Sequence, residues 1–287
     1  MKSKVYFTRE ITPEKVVELY RAVGLELHGN VAIKLHSGEP GNQNFLGPDF
    51  WRPVIEAVGG TVVECNTAYD GGRNTTEKHM ETMEKHGWSG TFKVDILDGQ
   101  GPDLELPIPN GRRIQKDFVG RNLKNYDAML VLSHFKGHPM GGYGGALKQL
   151  AIGCASSYGK AYIHGAGKPE DIWTADHDAF LDSMADAASA VAALFKGKSV
   201  FINVMKNMSV DCDCCAVAED PCIADVGMLA SLDPVAIDQA CLDLVYALDD
   251  PGLAHFLERV ESRNGIRTVE SAEKLGIGSR TYELIPF

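Results

Sequence analysis

The sequence predicts an α/β fold: a mostly parallel sheet with helices on both faces and irregular glycine-rich loops at its carboxyl edge. Short apolar runs alternate with helical patterns through the N-terminal third, which is the rhythm of βαβ units. Val31, Ala32, Ile33 and Leu35 are nearly continuous, as a strand covered on both faces must be. Several such runs empty into polar or glycine clusters, where an open parallel sheet places its ligands.

Val5–Thr8 reads as a short strand. Thr12, Pro13 and Glu14 then supply an N-cap, a first-turn proline and an acid ahead of Val16, Val17, Leu19 and Tyr20. Asn30–His36 is a buried strand, Asp49–Val58 a helix stopped by Gly59 and Gly60, and Thr61–Cys65 a strand rich in β-branched residues. Asn74–His86 is a helix opened by Thr75, Thr76 and Glu77, and Phe92–Ile96 a strand. Asp98–Arg113, broken by glycine and proline, is irregular with room for a small hairpin. Asp127–Ser133 is the most strand-like run of the chain, and a helical pattern resumes at Ala146. A long alanine-rich helix lies within Pro169–Lys196. Val200–Val204 is a strand, Pro234–Leu248 a helix capped by Asp233, and Thr281–Ile285 a final strand.

Hydrophobic residues make up 44% and charged residues 23% of the 287, a composition that excludes a disordered chain. The length fits one unit over residues 1–287, or two lobes dividing near 120–130. With 39 acids against 28 bases the formal charge is -11 and no basic run occurs, so nucleic acid is not an expected partner and anionic membranes repel the chain. No stretch is long and apolar enough to span a bilayer, and Met1–Glu10 lacks the pattern of a secretory signal, so the reducing cytoplasm is the expected compartment. There the seven cysteines are read as thiols rather than disulfides.

Three polar clusters close strands and should converge on one sheet edge: Lys34, His36 and Glu39; Asn66, Tyr69 and Arg73; and Ser133, His134, Lys136 and His138. Gly141, Gly142, Gly144 and Gly145 flank Tyr143 just before a helix containing Lys148. A glycine loop there either offers N–H groups to a phosphate or carboxylate, or only permits a tight turn. Cys212, Cys214 and Cys215, with Cys222 after a proline, are the strongest local feature, since thiolates bind zinc, copper(I) or iron–sulfur clusters. In an extended chain Cys212 and Cys214 point one way and Cys215 the other. Cys65 and Cys241, inside apolar elements, read as buried structural residues.

Lys34–Glu39, Ser133–His138, Gly144–Lys148, Gly153–Ser156, Gly159–Lys160, His164, Asp211–Cys214, Asp225–Gly227 and Ser231–Ala240 together resemble the DUF362 family, proteins usually labelled uncharacterised iron–sulfur centre proteins. Many of its members carry a ferredoxin-like insert shortly after the position of His164. Here Gly165–Asp171 contains no cysteine. The resemblance then implies a metal ion or iron–sulfur cluster, of iron or zinc, held by core residues: Cys212 and Cys214 with His134 and His138, and Cys222 or Cys154 as further candidates. The first functional reading of these residues is a metal-dependent enzyme, of redox type, in which Lys34, His36, Glu39, Arg73, Lys136 and Lys148 orient a small anionic ligand, with His36 and Glu39 as residue types that can move protons. Its electrons then come from a separate donor protein. The alternative is a carrier that passes metal or cluster to another enzyme without turnover, and a zinc hydrolase or isomerase ranks third.

Overall fold

A computed structural model describes residues 2–287. The N-terminal part follows the expected rhythm: β1 (Ser3–Thr8), α1 (Pro13–Ala22), β2 (Val31–Lys34), α2 (Pro48–Val58), β3 (Thr61–Glu64), α3 (Thr76–Lys85) and β4 (Val94–Ile96). The caps are those the sequence announces. Thr12 and Thr75 accept the backbone N–H groups of Lys15 and Lys78, each at 3.3 Å, and Gly59 closes α2 in the left-handed region at φ 72°.

A hairpin of β5 (Leu104–Pro107) and β6 (Lys116–Val119) follows, its second strand lying beyond the irregular stretch. Then come β7 (Ala128–His134), β8 (Lys136–His138), β9 (Gly142–Gly144), α4 (Ala146–Cys154), α5 (Ser157–His164), α6 (His177–Leu194), β10 (Ser199–Met205), β11 (Gly227–Ser231), α7 (Pro234–Tyr246), α8 (Leu253–Ser262), α9 (Ile266–Lys274) and β12 (Tyr282–Pro286). The glycine loop is thus a small hairpin, β8 against β9, and the long helix starts at His177, where Asp176 accepts the Ala179 N–H at 2.8 Å.

Eight strands form one sheet in the order β12-β1-β11-β10-β7-β2-β3-β4. Every pairing is parallel except the two made by β11, which runs against both β1 and β10. Strand alternation separates two cores. Val31 and Ile33 of β2 pack with residues of α1, α2 and α3 on one face, whereas Ala32 packs with residues of α4, α6 and α7 on the other. The order reverses at β2: the chain first builds outward through β3 and β4, then returns to lay β7 and β10 on the opposite side. Such a reversal opens a crevice at the carboxyl ends of the two strands beside it, here β2 and β7.

Among the described residues, no helix is long and apolar enough to cross a membrane. One polar group in the core stands apart. Asp117 on β6 is fully buried, its Oδ1 accepts the Phe118 N–H at 2.8 Å, and its Oδ2 has no partner among the described residues. Burial pushes this carboxyl up to about 7 from its ordinary 3.8. The folded state therefore favours the protonated acid, and the stability this contributes is lost as pH rises from about 4 through about 7. Asp117→Asn keeps the shape and removes the charge. Its advantage in Tm over the unsubstituted protein should be small near pH 4, grow through neutrality and level off above it, reaching on the order of 4 kcal/mol in urea unfolding. A pH-independent difference would contradict this.

Candidate functional site

The carboxyl ends of β2, β3 and β7 enclose a cavity of about 760 Å³, measured to its open mouth. Five basic side chains line it: Lys34, Arg73, Lys136, Lys148 and Lys160. Three of these are tied to buried carboxylates. Lys34 Nζ is 2.6 Å from Glu64, Arg73 Nε is 2.8 Å from Glu39, and Lys136 Nζ is 2.8 Å from Asp213. Among the described residues Lys148 and Lys160 have no carboxylate partner, so the cavity holds an excess of positive charge in a protein that is negative overall. Burial works to raise the Glu64 carboxyl, yet the charges of Lys34 and Arg73 outweigh it and hold the group well below the usual range.

Three neutral histidines share this cavity. Burial, then the nearby Arg73 charge, keeps His36 well below its ordinary value; its Nδ1 accepts the Gly38 N–H at 3.0 Å, which leaves the ring proton on Nε2. Burial takes His164 down to about 3, and its Nδ1 donates to the Lys160 carbonyl at 2.7 Å, which leaves a lone pair on Nε2. Burial and Lys148 take His138 down to about 4. His138 Nδ1 accepts two backbone N–H groups, from Met140 at 3.1 Å and Gly141 at 2.8 Å.

The thiols arrive on the loop between β10 and β11. Cys212 is 1% exposed and Cys214 half-buried, and their sulfurs together with a His138 nitrogen lie within 4.8 Å of one another. Cys214 Sγ is 3.8 Å from His138 Nε2, and Lys148 Nζ is 3.9 Å from Cys212 Sγ. The Cys214 thiol shares a hydrogen bond with Cys212, and with Lys148 and Lys136 this holds Cys212 well below the ordinary thiol value against the opposing effect of burial. Asp213, between the two cysteines, faces the other way. Its carboxylate meets His134 Nδ1 at 2.9 Å and Lys136 Nζ at 2.8 Å, and its carbonyl accepts the Glu39 N–H at 2.8 Å.

Several expected roles change in this geometry. His134 faces the Asp213 carboxylate with one nitrogen and the Lys206 carbonyl, at 2.6 Å, with the other, so both nitrogens are engaged within the protein and His134 stands outside the thiol–histidine group. Glu39 accepts from Arg73 and from the Gly72 N–H at 2.8 Å, which makes it a brace for Arg73 rather than a free base. Cys222 donates to the Met208 carbonyl at 3.7 Å and stands outside the thiol–histidine group, while Cys154 is buried in the core and bonded to the Gln149 carbonyl. The glycine hairpin does not present the start of α4 to a ligand. Asp238 of α7 takes the Ala146 and Leu147 N–H groups at 2.8 and 3.0 Å, along with the Asn203 amide and the Tyr143 hydroxyl. A Cβ at Gly145 would fall 2.5 Å from that carboxylate, so glycine is required by a protein side chain. Gly144 and Gly145 still line the cavity, whereas Gly141 ends the turn and Gly142 opens β9 opposite His138.

His138, Cys212 and Cys214 form a group that could hold a metal ion. The two sulfurs suit a soft ion. His138 suits it less well, because a ligating histidine normally donates through its other nitrogen and here that nitrogen accepts two N–H groups. A four-thiolate set is not assembled among the described residues. Asp213, Glu64, Lys160 and His164 as cavity-shaping groups were not singled out by spacing. The alternation Asp211-Cys212-Asp213-Cys214 held the only local signal, since in an extended chain it sends acids and thiols to opposite sides.

A family model described as a domain of unknown function, DUF362, matches residues 31–243. The chain belongs to that family. No curated protein matches it. Among solved structures it is similar to the lactate racemase apoprotein from Thermoanaerobacterium thermosaccharolyticum, with 14% identity, a TM-score of 0.41, and coverage of 71% of this chain and 51% of that one. It is also similar to a structural-genomics protein from Thermotoga maritima, with 14% identity, a TM-score of 0.45, and coverage of 93% and 59%. The chain thus spans little more than half the length of either.

Cations built into the fold and a cation held for a ligand should respond differently to substitution. Glu64→Gln leaves the buried Lys34 without its counter-charge and should cost about 3–5 kcal/mol in urea unfolding. Lys148→Ala should cost less than about 1 kcal/mol, because no carboxylate depends on it. Equal losses would place Lys148 in the scaffold.

Proposed function

We propose that the protein is a metal-dependent enzyme acting on a small anionic molecule in this cavity, with Cys212 and Cys214 as ligands of a soft metal. The observation that carries the reading is the meeting of two thiols with a buried cavity in which Lys148 and Lys160 have no carboxylate of their own. These two lysines bind the acidic group and supply the field that draws it in, whereas Lys34, Arg73 and Lys136 are each balanced by a carboxylate. His36 offers an N–H to the ligand and His164 a lone pair, so a proton donor and a proton acceptor line one cavity at neutral pH. The metal, when bound, supplies Lewis acidity or, if it is iron, electron transfer. For redox chemistry the electrons come from a separate donor protein, since among the described residues one thiol–histidine group is assembled and no second relay.

Support for a carrier is weaker. A carrier hands its cargo over at the surface, and Cys212 is 1% exposed beneath the cavity wall. Anaerobically purified protein should contain about one equivalent of iron or zinc per chain, far below the roughly eight irons of two four-iron clusters. The variant Cys212→Ser/Cys214→Ser should lose that metal while Tm moves by only a few degrees. Protein that neither retains metal nor is stabilised by added Zn²⁺ or Fe²⁺ would remove the thiols from this role.

A further inference from the structure

The cavity has two chemically different ends. Four of its five basic groups lie deep, with Lys34 0%, Arg73 3%, Lys136 3% and Lys160 8% exposed, and Lys148 is half-buried, whereas Trp173 stands at the mouth with 63% of its surface in water. The other two tryptophans, Trp51 and Trp88, are buried at 2% and 0%. Trp173 belongs to the connection between α5 and α6. That connection turns through two left-handed residues, Ala166 at φ 50° and Gly167 at φ 97°, then a short 3-10 turn at Pro169–Asp171, which brings Ile172 and Trp173 to the cavity rim. Ile152 also lines the cavity. An indole left in water beside a cationic pocket has an apolar face that only a ligand of matching character covers. Inorganic phosphate or acetate would satisfy the lysines and leave this rim wet.

We infer that Trp173 determines specificity by packing over the apolar, preferably aromatic, body of an organic acid whose carboxylate lies against Lys148 and Lys160. The inference rests on the reading of the cavity as an anion site and names the class of anion. Phenylacetate and acetate are suitable probes, because they share the carboxylate and differ in the ring. Isothermal titration of the full chain should show phenylacetate binding about tenfold more tightly than acetate, the size expected of one added aromatic contact with its buried area. Phenylacetate should also shift or quench tryptophan emission saturably. Trp173→Ala should abolish the emission change and bring the two affinities within about threefold while leaving that for acetate unchanged, and Trp173→Phe should keep most of the preference. Because Trp173 is exposed, neither variant is expected to disturb folding. Equal binding of the two acids, or a preference that survives in Trp173→Ala, overturns the role of Trp173 and leaves the anion site standing. Binding of neither acid overturns the anion reading itself.

Discussion

The carboxylate of Asp213 is the joint on which the site depends. It is buried between two cysteines, yet its partners lie on another element: His134 at the end of β7 and Lys136 at the start of the following hairpin. Removing the buried carboxylate from Lys136 leaves a charge without compensation, so the loop after β10 has one low-energy seat. That seat fixes which way the thiols face. With Asp213 turned inward to β7, Cys212 and Cys214 turn to His138 and Lys148. The backbone of the same residue receives the Glu39 N–H, which links the thiol loop to the brace that holds Arg73.

A second carboxylate works by the same physics at another place. Asp238 accepts two N–H groups at the start of α4 together with a side-chain amide and a hydroxyl, although burial pushes its carboxyl up to about 6. The positive end of the helix is thus neutralised from within, and the charge available to a ligand comes from lysine side chains instead. This division explains how a chain of formal charge -11 keeps a positive cavity: Glu64, Glu39 and Asp213 are each matched by one of its cations, and Lys148 and Lys160 remain without a carboxylate among the described residues.

Much of the fold was legible because its signals are local. Thr12, Thr75, Asp233 and Gly59 mark helix ends through bonds and dihedral angles formed within a few residues, and the apolar runs at β2 and β7 need only burial on both faces. β11 was missed: Gly-Met-Leu-Ala-Ser contains no β-branched residue, and pairing on both sides holds it extended in spite of that. α8 and α9 begin at Gly252 and Gly265 without a side-chain cap, so no start signal exists for them. In the site, the residue types were legible and their allegiances were not. His134 and Glu39 look like ligand and base by composition. Each is committed to a partner 30 or more positions away, which spacing along the chain cannot reveal.

The reversed polarity of β11 has a consequence for how the chain reaches the site. A parallel strand would have delivered the chain to the carboxyl edge, and the next helix would have carried it away. β11 ends instead at the opposite edge, and α7 climbs back, so that α8 arrives beside the thiol loop and the glycine hairpin. There Arg259 donates to the Val210 carbonyl at 2.7 Å and to Asp211 at 3.0 Å, and Arg263 donates to the Pro139 carbonyl at 2.7 Å. One inverted strand therefore acts as a routing device: it makes residues late in the sequence the outer clamp on a thiol loop laid down 49 residues earlier and on a hairpin laid down 124 residues earlier.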